Sequence, residues 1–157
     1  MPTHSPELKC NHEEHDELEG SAKKPMLYKT TPACSPEVEA IVTRTIGCAL
    51  RVHQAIGPGY NEGIYQDAMA IDLGLEGISH DTEVTIQLTY RGQPLRPHRL
   101  DLVVEGVLVL ELKAVERLAR IHETQILSYM RSGKYQIGLL MNFNSDWLKG
   151  SFRRFVL

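Results

Sequence analysis

Two adjacent apolar segments, residues 98–104 and 107–113, constrain the fold of this chain more than any other feature. Both are short and rich in valine and leucine, which predicts two buried β-strands separated by a turn. Asp101 interrupts the first segment, and Glu111 and Lys113 stand two residues apart in the second. Acids in apolar strands are unfavourable unless another group compensates them. These three positions are therefore the first candidates for a functional site.

The turn between the two strands decides whether these side chains share one face of the sheet. A two-residue turn would place Asp101 and Glu111 on opposite faces. A three-residue loop over residues 104–106, with Gly106 in the left-handed conformation, would place Asp101 opposite Val109 and on the face of Glu111. The same register collects the leucines of both strands on the other face, as a core. We therefore predict the three-residue loop.

The hydrophobic period elsewhere predicts three helices and three further strands. The predicted helices span residues 36–56, 62–73 and 117–131, and the further strands span residues 83–90, 135–142 and 151–157. Ser35 before Pro36 is a strong helix start, because serine caps the helix and proline fits its first turn. The order is helix, helix, three strands, helix, strand, strand, in one domain over residues 35–157.

Residues 1–34 differ from this domain, since they are polar, carry six acids and show no helical or strand period. We predict that they form a disordered N-terminal tail. Cys10, His12 and His15 form a CxHxxH cluster within it, but structural zinc sites normally bring four ligands in two pairs. A polar tail is therefore preferred over a zinc site.

Composition excludes several classes of protein. No apolar run approaches the roughly 18 residues of a membrane helix, and the N-terminus lacks the apolar core of a secretory signal. The three cysteines have no paired spacing, which favours free thiols. We therefore expect a cytoplasmic protein with no membrane partner. A net charge of -3 excludes a general nucleic-acid coat protein, so a nucleic-acid partner would need a local basic patch.

Two carboxylates on one sheet face form a typical ligand pair for a divalent cation. A lysine beside them can orient a water molecule or stabilise charge on a phosphate. The alternative for Asp101, Glu111 and Lys113 is a surface cluster of ion pairs, because the ExK spacing alone is a weak motif.

Motifs in three parts of the chain together resemble a known superfamily. Asp101 with residues 111–113 (ELK) resembles the D…ExK core of the PD-(D/E)XK nucleases, and Gln125 with Tyr129 resembles the QxxxY element of a subgroup of them. Residues 59–65 (GYNEGIY) match GxxExxY, the signature of a small bacterial protein family assigned to the same superfamily. The resemblance implies a restriction-endonuclease-like α/β fold, with an α-β-β-β-α-β core and a mixed central sheet flanked by helices.

The resemblance also implies a Mg²⁺-dependent nuclease that hydrolyses phosphodiester bonds, with Mn²⁺ as a substitute ion. Asp101 and Glu111 would ligate the metal, the carbonyl of Leu112 would assist, and Glu62 would be an additional acid. The alternative for Glu62 is a helix-capping carboxylate, since it begins a predicted helix.

The remaining implied site residues act beside the metal. Lys113 would position the attacking water and stabilise developing charge. Gln125 would hold this lysine or a phosphate, with Tyr129 supporting it; the alternative is a buried polar pair, because the two share a helix face. His53 and two other histidines could approach the site, but structural roles are preferred for them.

The expected partner is nucleic acid, DNA rather than RNA, and a homo-oligomer is left open. Six arginines are candidate contacts with its phosphate backbone: Arg91, Arg96, Arg117, Arg120, Arg153 and Arg154. Such contacts carry no sequence information. Two alternatives are a non-catalytic nucleic-acid- or protein-binding module on the nuclease fold and a phosphoesterase acting on small molecules.

Overall fold

The computed structural model of the chain describes residues 34–157. The polar tail predicted over residues 1–34, with its Cys10, His12 and His15 cluster, lies outside the described residues apart from Cys34. No helix in the described part is long and apolar enough to span a membrane.

The described chain is an α/β fold with one mixed five-stranded sheet flanked by helices, as predicted. The elements are α1 (Pro36–Ile56), α2 (Glu62–Leu75), β1 (His80–Ile86), β2 (Thr89–Tyr90), β3 (Gln93–Pro94), β4 (His98–Val104), β5 (Leu108–Lys113), α3 (Arg120–Gly133), β6 (Ile137–Asn142) and β7 (Phe152–Val156). The sheet order is β1-β4-β5-β6-β7, and β2 pairs with β3 in a separate small hairpin. Only β5 and β6 run parallel, and α3 connects them.

The first two helices begin at the residues predicted from the sequence, and each has a side-chain cap, of which only Ser35 was predicted. The Ser35 side chain accepts a hydrogen bond from the backbone N–H of Val38 at 3.4 Å, and Pro36 occupies the first turn. The Asn61 side chain caps α2 in the same way, accepting from Ile64 N at 3.3 Å. These bonds satisfy backbone donors that a helix start leaves free.

The sheet is buried on both faces, and each face has its own core. Helices α1 and α2 cover the face that carries Leu102 and Leu110. Helix α3 covers the other face, where Val103 and Val109 pack against Ile126.

Glu111 follows the alternation of β5 onto the α3 side, two residues after Val109. In β4 the alternation is interrupted at Asp101, because Leu100 packs in the α3-side core together with Val103. The prediction that the leucines of both strands share one core is therefore wrong for Leu100.

The register of β4 and β5 differs from the prediction by two residues. The ladder pairs Val103 with Val109 and Val104 with Leu108, so the residue opposite Val109 is Val103 and not Asp101. The loop is residues 105–107 rather than 104–106. Gly106 has the predicted left-handed conformation (φ 67°), but Glu105 has it as well (φ 51°). The shift by two preserves the faces, because side chains alternate with a period of two.

Strand β1 was predicted too late in the chain. It ends at Ile86, and the following residues turn into the β2–β3 hairpin instead of continuing to residue 90. Within β1, Glu83 adopts a left-handed φ of 51° opposite Asp101, and the ladder skips this position. The alternating pattern over residues 83–90 therefore belongs to two elements.

Helix α3 begins at Arg120, three residues after the predicted start. The Asn142 side chain binds the loop that precedes the helix. Its Oδ1 accepts from Val115 N at 3.0 Å, and its Nδ2 donates to Val115 O at 2.7 Å. Val115 is thereby tied to β6, and residues 115–117 form a bend rather than a helical turn.

Gly138 allows α3 to pack closely on β6. A Cβ at this position would lie 2.6 Å from Met130 Sδ and 3.0 Å from Ile126 Cδ1. We expect Gly138→Ala to lower the free energy of unfolding by about 1–3 kcal/mol, because overpacking displaces α3. Urea denaturation measures this loss, and Gly150→Ala is the control, since nothing lies within 4 Å of a Cβ there. Equal stability of the two variants would contradict the close packing.

Candidate functional site

The backbone pairing of β4 with β5 ends next to their acidic residues. Their backbone ladder ends at the pair of Leu102 and Leu110. One residue further, Asp101 Oδ2 accepts a hydrogen bond from the backbone N–H of Leu112 at 2.7 Å. The aspartate side chain thus takes the place of a backbone partner, which fixes its carboxylate at the strand edge beside Glu111.

Glu111 and Lys113 form a buried ion pair on the same face. Glu111 is 3% exposed, and its Oε1 accepts from Lys113 Nζ at 2.7 Å. The other carboxylate oxygen, Oε2, is buried without a hydrogen-bond partner among the described residues. Lys113 Nζ also lies 3.8 Å from Glu62 Oε1 at the start of α2, a side chain that is 41% exposed. Lys113 therefore joins the buried strand to the helix.

Burial makes the ionised acids of this cluster unfavourable. It raises the pKa of Asp101, which the N–H of Leu112 and then Lys113 oppose. It raises the pKa of Glu111 to about 7; the Asp101 charge adds to this effect, and Lys113 opposes it. Partial burial also raises the pKa of Glu62, against the attraction of Lys113. One lysine therefore does not compensate the three carboxylates.

Lys113 keeps its proton in this environment. Burial acts to lower its pKa, but the hydrogen bond from its ammonium to Glu111 and the charges of Glu62 and Asp101 outweigh burial, so the pKa is raised. A protonated lysine fixed on a strand can donate to a water molecule or a phosphate oxygen without first acquiring a proton.

The acidic pair fits a divalent cation. Glu111 Oε2 is a buried oxygen with no partner, and the neighbouring Asp101 carboxylate carries the same charge; hard oxygen ligands of this kind bind Mg²⁺ or Mn²⁺. Residues 34–157 contain no group of three or more His, Cys, Asp or Glu side chains placed to hold an ion. Glu62 is linked to the pair of Asp101 and Glu111 through its contact with Lys113. Leu112 contributes its backbone N–H to Asp101.

A comparison with protein-family models matches residues 39–155, about three quarters of the chain, to the PD-(D/E)XK nuclease superfamily. The chain belongs to the PD-(D/E)XK nuclease superfamily. Nucleases of this superfamily generally use divalent metals, which agrees with the oxygen ligands at Asp101 and Glu111. Searches of curated proteins and of solved structures each found no significant match.

Gln125 and Tyr129 are residues of α3, on the side of the sheet that this helix covers, beside the acids. Gln125 Nε2 donates a hydrogen bond to Tyr129 Oη. Burial raises the pKa of Tyr129, and the charges of Glu111 and Lys113 also act on it, in opposite directions. The predicted pair thus forms, within electrostatic reach of the acids.

Gln66 is a further residue in contact with the site, and it was not predicted from the sequence. Its Nε2 donates to the backbone carbonyl of Asp101 at 3.2 Å, which ties α2 to β4. The available signal was its spacing of four from Glu62, which places both side chains on one helix face. Tyr65, between them, is fully buried and donates to Gly57 O at 2.7 Å, so it shapes the loop before α2.

The three histidines considered for the site have mainly structural contacts. His53 Nε2 bonds to the carbonyl of Ser145 at 2.7 Å, and His122 Nδ1 accepts from Ala119 N at 3.1 Å at the start of α3. The His98 ring packs against Tyr129 with centroids 4.4 Å apart, and its Nε2 is buried without a partner among the described residues.

The candidate phosphate-binding arginines differ in their surroundings. Arg154 is half-buried and paired with Glu39 of α1. Contact with the nucleic-acid backbone would require Arg154 to leave this ion pair, so this predicted contact is unfavourable. Arg117 and Arg153 instead line a depression of about 230 Å³ next to Asn142, the β6 partner of Lys113. A larger depression of about 350 Å³ lies at the opposite end of the sheet, beside Gly106, and contains none of the predicted site residues.

Glu111 provides a test of the acidic cluster that is independent of activity. Its raised pKa means that the folded state holds the proton more tightly than the unfolded state, so stability falls as pH rises from 4.5 to about 7. Glu111→Gln resembles the protonated form. We expect the variant to match the wild type near pH 4 and to exceed it near pH 8 by on the order of 2–3 kcal/mol, measured by urea unfolding. The exposed Asp81→Asn is the control; a pH-independent difference for Glu111→Gln would contradict the burial of its charge.

Proposed function

We propose that this chain is a metal-dependent nuclease of the GxxExxY family that hydrolyses phosphodiester bonds of nucleic acid, DNA in preference to RNA. The observation that carries the proposal is Glu111 Oε2, which is buried without a partner beside the like-charged Asp101. A buried carboxylate oxygen that no protein group binds is available to a hard cation, and the like charge of Asp101 favours such an ion. Superfamily membership supports the same activity.

In the proposed site Asp101 and Glu111 hold the ion, and Mg²⁺ is the ion we expect, with Mn²⁺ able to replace it. The bound ion supplies Lewis-acid activation of the phosphoryl group and of the attacking water. The Leu112 N–H keeps the Asp101 carboxylate in place at 2.7 Å, and the carbonyl of Leu112 is a proposed additional ligand.

Lys113 has the proposed role of transition-state stabiliser. Its raised pKa keeps it positively charged, and the 2.7 Å bond to Glu111 fixes its ammonium beside the ion ligands. A cation held in advance near developing negative charge lowers the barrier without reorganisation. Glu62 orients Lys113 from the solvent side, since it lies 3.8 Å from Nζ and is only half-buried.

Gln125 and Tyr129 are proposed to position a substrate phosphate or Lys113. Their hydrogen bond restrains the glutamine on the exposed side of the α3 core, near the acids. The amide of Gln125 retains a free acceptor and one free N–H donor, so it can bind either group.

The experiment that tests the function is hydrolysis of labelled nucleic acid by the purified full-length chain. Single- and double-stranded DNA and RNA are compared in Mg²⁺, in Mn²⁺ and in chelator, with Lys113→Ala as the inactive control. We expect cleavage that requires the divalent ion. Nucleic-acid binding without cleavage in either ion would favour the binding-module alternative, and hydrolysis confined to small phosphodiesters would favour the phosphoesterase.

A further inference from the structure

The loop that follows β6 leaves the sheet directly beside the candidate site. Asn142 is paired with Lys113 across β5 and β6, and the next residue, Phe143, donates its N–H to the carbonyl of Lys113 at 2.8 Å. Further along, the carbonyl of Ser145 is held by His53 of α1 at 2.7 Å. The loop is therefore anchored on both sides and borders the site.

Trp147 stands out in this loop, because its side chain is 80% exposed. The backbone that carries it is held in place: Ser145 Oγ donates to Trp147 O at 2.9 Å, and the next residue, Leu148, is buried in the core. An indole ring presented to solvent on an anchored backbone is costly in water and well suited to stacking on another planar group.

The depression beside this loop has the polar groups that a phosphate needs. Arg117 forms no ion pair with any residue in the range 34–157, and Arg153 has one exposed pair with Glu123 at 3.2 Å, which contributes little stability. Ser145 also lines the depression, but its hydroxyl proton is donated to Trp147 O, so the arginines are the donors available to a phosphate. Glu116 is the one acid among its lining residues, and Glu123 is paired with Arg153, so Arg117 is the cation there that has no ion pair within residues 34–157.

We propose that Trp147 and this depression form a subsite for single-stranded nucleic acid, in which the indole stacks on an unpaired base while Arg117 and Arg153 hold a backbone phosphate. The inference rests on the proposed function, because it specifies the strand that would reach Lys113. Duplex nucleic acid fits the subsite poorly, since pairing and stacking hide the base faces. Base stacking and phosphate contacts are available to single-stranded DNA and RNA alike, so this subsite accepts both.

Trp147 reports on this subsite directly, because it is the only tryptophan in the chain. Intrinsic fluorescence is titrated with oligothymidylate, oligouridylate and a blunt DNA duplex of equal length, in chelator so that no hydrolysis occurs. We expect both single strands to quench the fluorescence with saturation and the duplex to leave it nearly unchanged. The two single-stranded arms then show whether the subsite prefers DNA or RNA.

Variants separate the stacking contact from the phosphate contacts. Affinity is measured by anisotropy of labelled single strands. Trp147→Ala should weaken binding by about 5- to 100-fold, whereas Trp147→Phe should retain most of it, because stacking needs an aromatic ring. Arg117→Gln and Arg153→Gln should each reduce the slope of log affinity against log salt by about 0.7. Glu116→Gln should tighten binding.

Arg44→Gln is the control for the loss of a positive charge. Arg44 donates to the carbonyl of Glu76, which follows the end of α2 opposite to Glu62. Equal quenching by duplex and single strands, or unchanged affinity in Trp147→Ala, would overturn the inference. Absence of cleavage with quenching intact would refute the proposed hydrolysis and leave the subsite standing. Cleavage that does not depend on Trp147, together with unchanged binding, would refute the subsite alone.

Discussion

Lys113→Ala is expected to abolish most nuclease turnover while leaving Mg²⁺ binding in place. Lys113 is the only residue in the range 34–157 that forms an ion pair with the acidic cluster, and its raised pKa keeps it charged. Removing one group that stabilises a transition state typically costs 10²-fold or more in rate, so we expect a fall of at least about 10²-fold. Single-turnover cleavage measures the rate, and calorimetric titration on the same preparation measures Mg²⁺ affinity.

The titration is done near pH 8 or above, because losing Lys113 raises the pKa of Glu111 beyond its present value of about 7. Under these conditions Mg²⁺ affinity should be equal or higher, since a positive charge next to the ligands has gone. Lys149→Ala, at an exposed lysine, controls for loss of surface charge. Full activity in Lys113→Ala would exclude the proposed role and favour the binding module.

Asp101→Asn and Glu111→Gln are expected to lose Mg²⁺ binding and cleavage together. Each substitution keeps the shape of the side chain but removes a charged oxygen ligand, which hard cations require. We expect Mg²⁺ affinity to fall at least about tenfold and turnover to fall to background, in the range for losing metal-ligand interactions. Calorimetry and the cleavage assay, run with Mn²⁺ as well, measure both quantities.

These variants also test whether Mg²⁺ binding at the acidic residues stabilises the folded protein. Near pH 8, Mg²⁺ should raise the melting temperature of the wild type, because it binds only the folded state, and should have little effect on Glu111→Gln. Asp81→Asn, on the neighbouring strand β1, should behave like the wild type. Wild-type protein that binds neither Mg²⁺ nor Mn²⁺ would contradict the metal site.

Local signals in the sequence determined the elements that carry the site. Ser35 and Pro36 started α1, and the apolar segments of β4 and β5 were predicted within one residue of their observed ends. These elements depend on capping and on side-chain period, which neighbouring residues decide.

Tertiary structure decided which groups meet at the site. A shift of two residues leaves the alternation of faces unchanged, so the apolar pattern could not distinguish Val107 from Val109 as the residue opposite Val103. The position of Leu100 in the α3-side core was likewise not predicted. The same applies to contacts between distant elements, such as Gln66 with the carbonyl of Asp101 and Asn142 with Val115. Polar side chains that satisfy backbone groups far along the chain leave no periodic signal.

The sequence by itself therefore determined the fold class and the chemical identity of the residues in the acid–lysine cluster. The tertiary structure decided its electrostatics: Glu111 is 3% exposed with one oxygen unpartnered, Lys113 is shared with Glu62, and the loop carrying Trp147 borders the site. Burial and pairing depend on how helices pack over the sheet. They arise only when residues far apart in the chain come together.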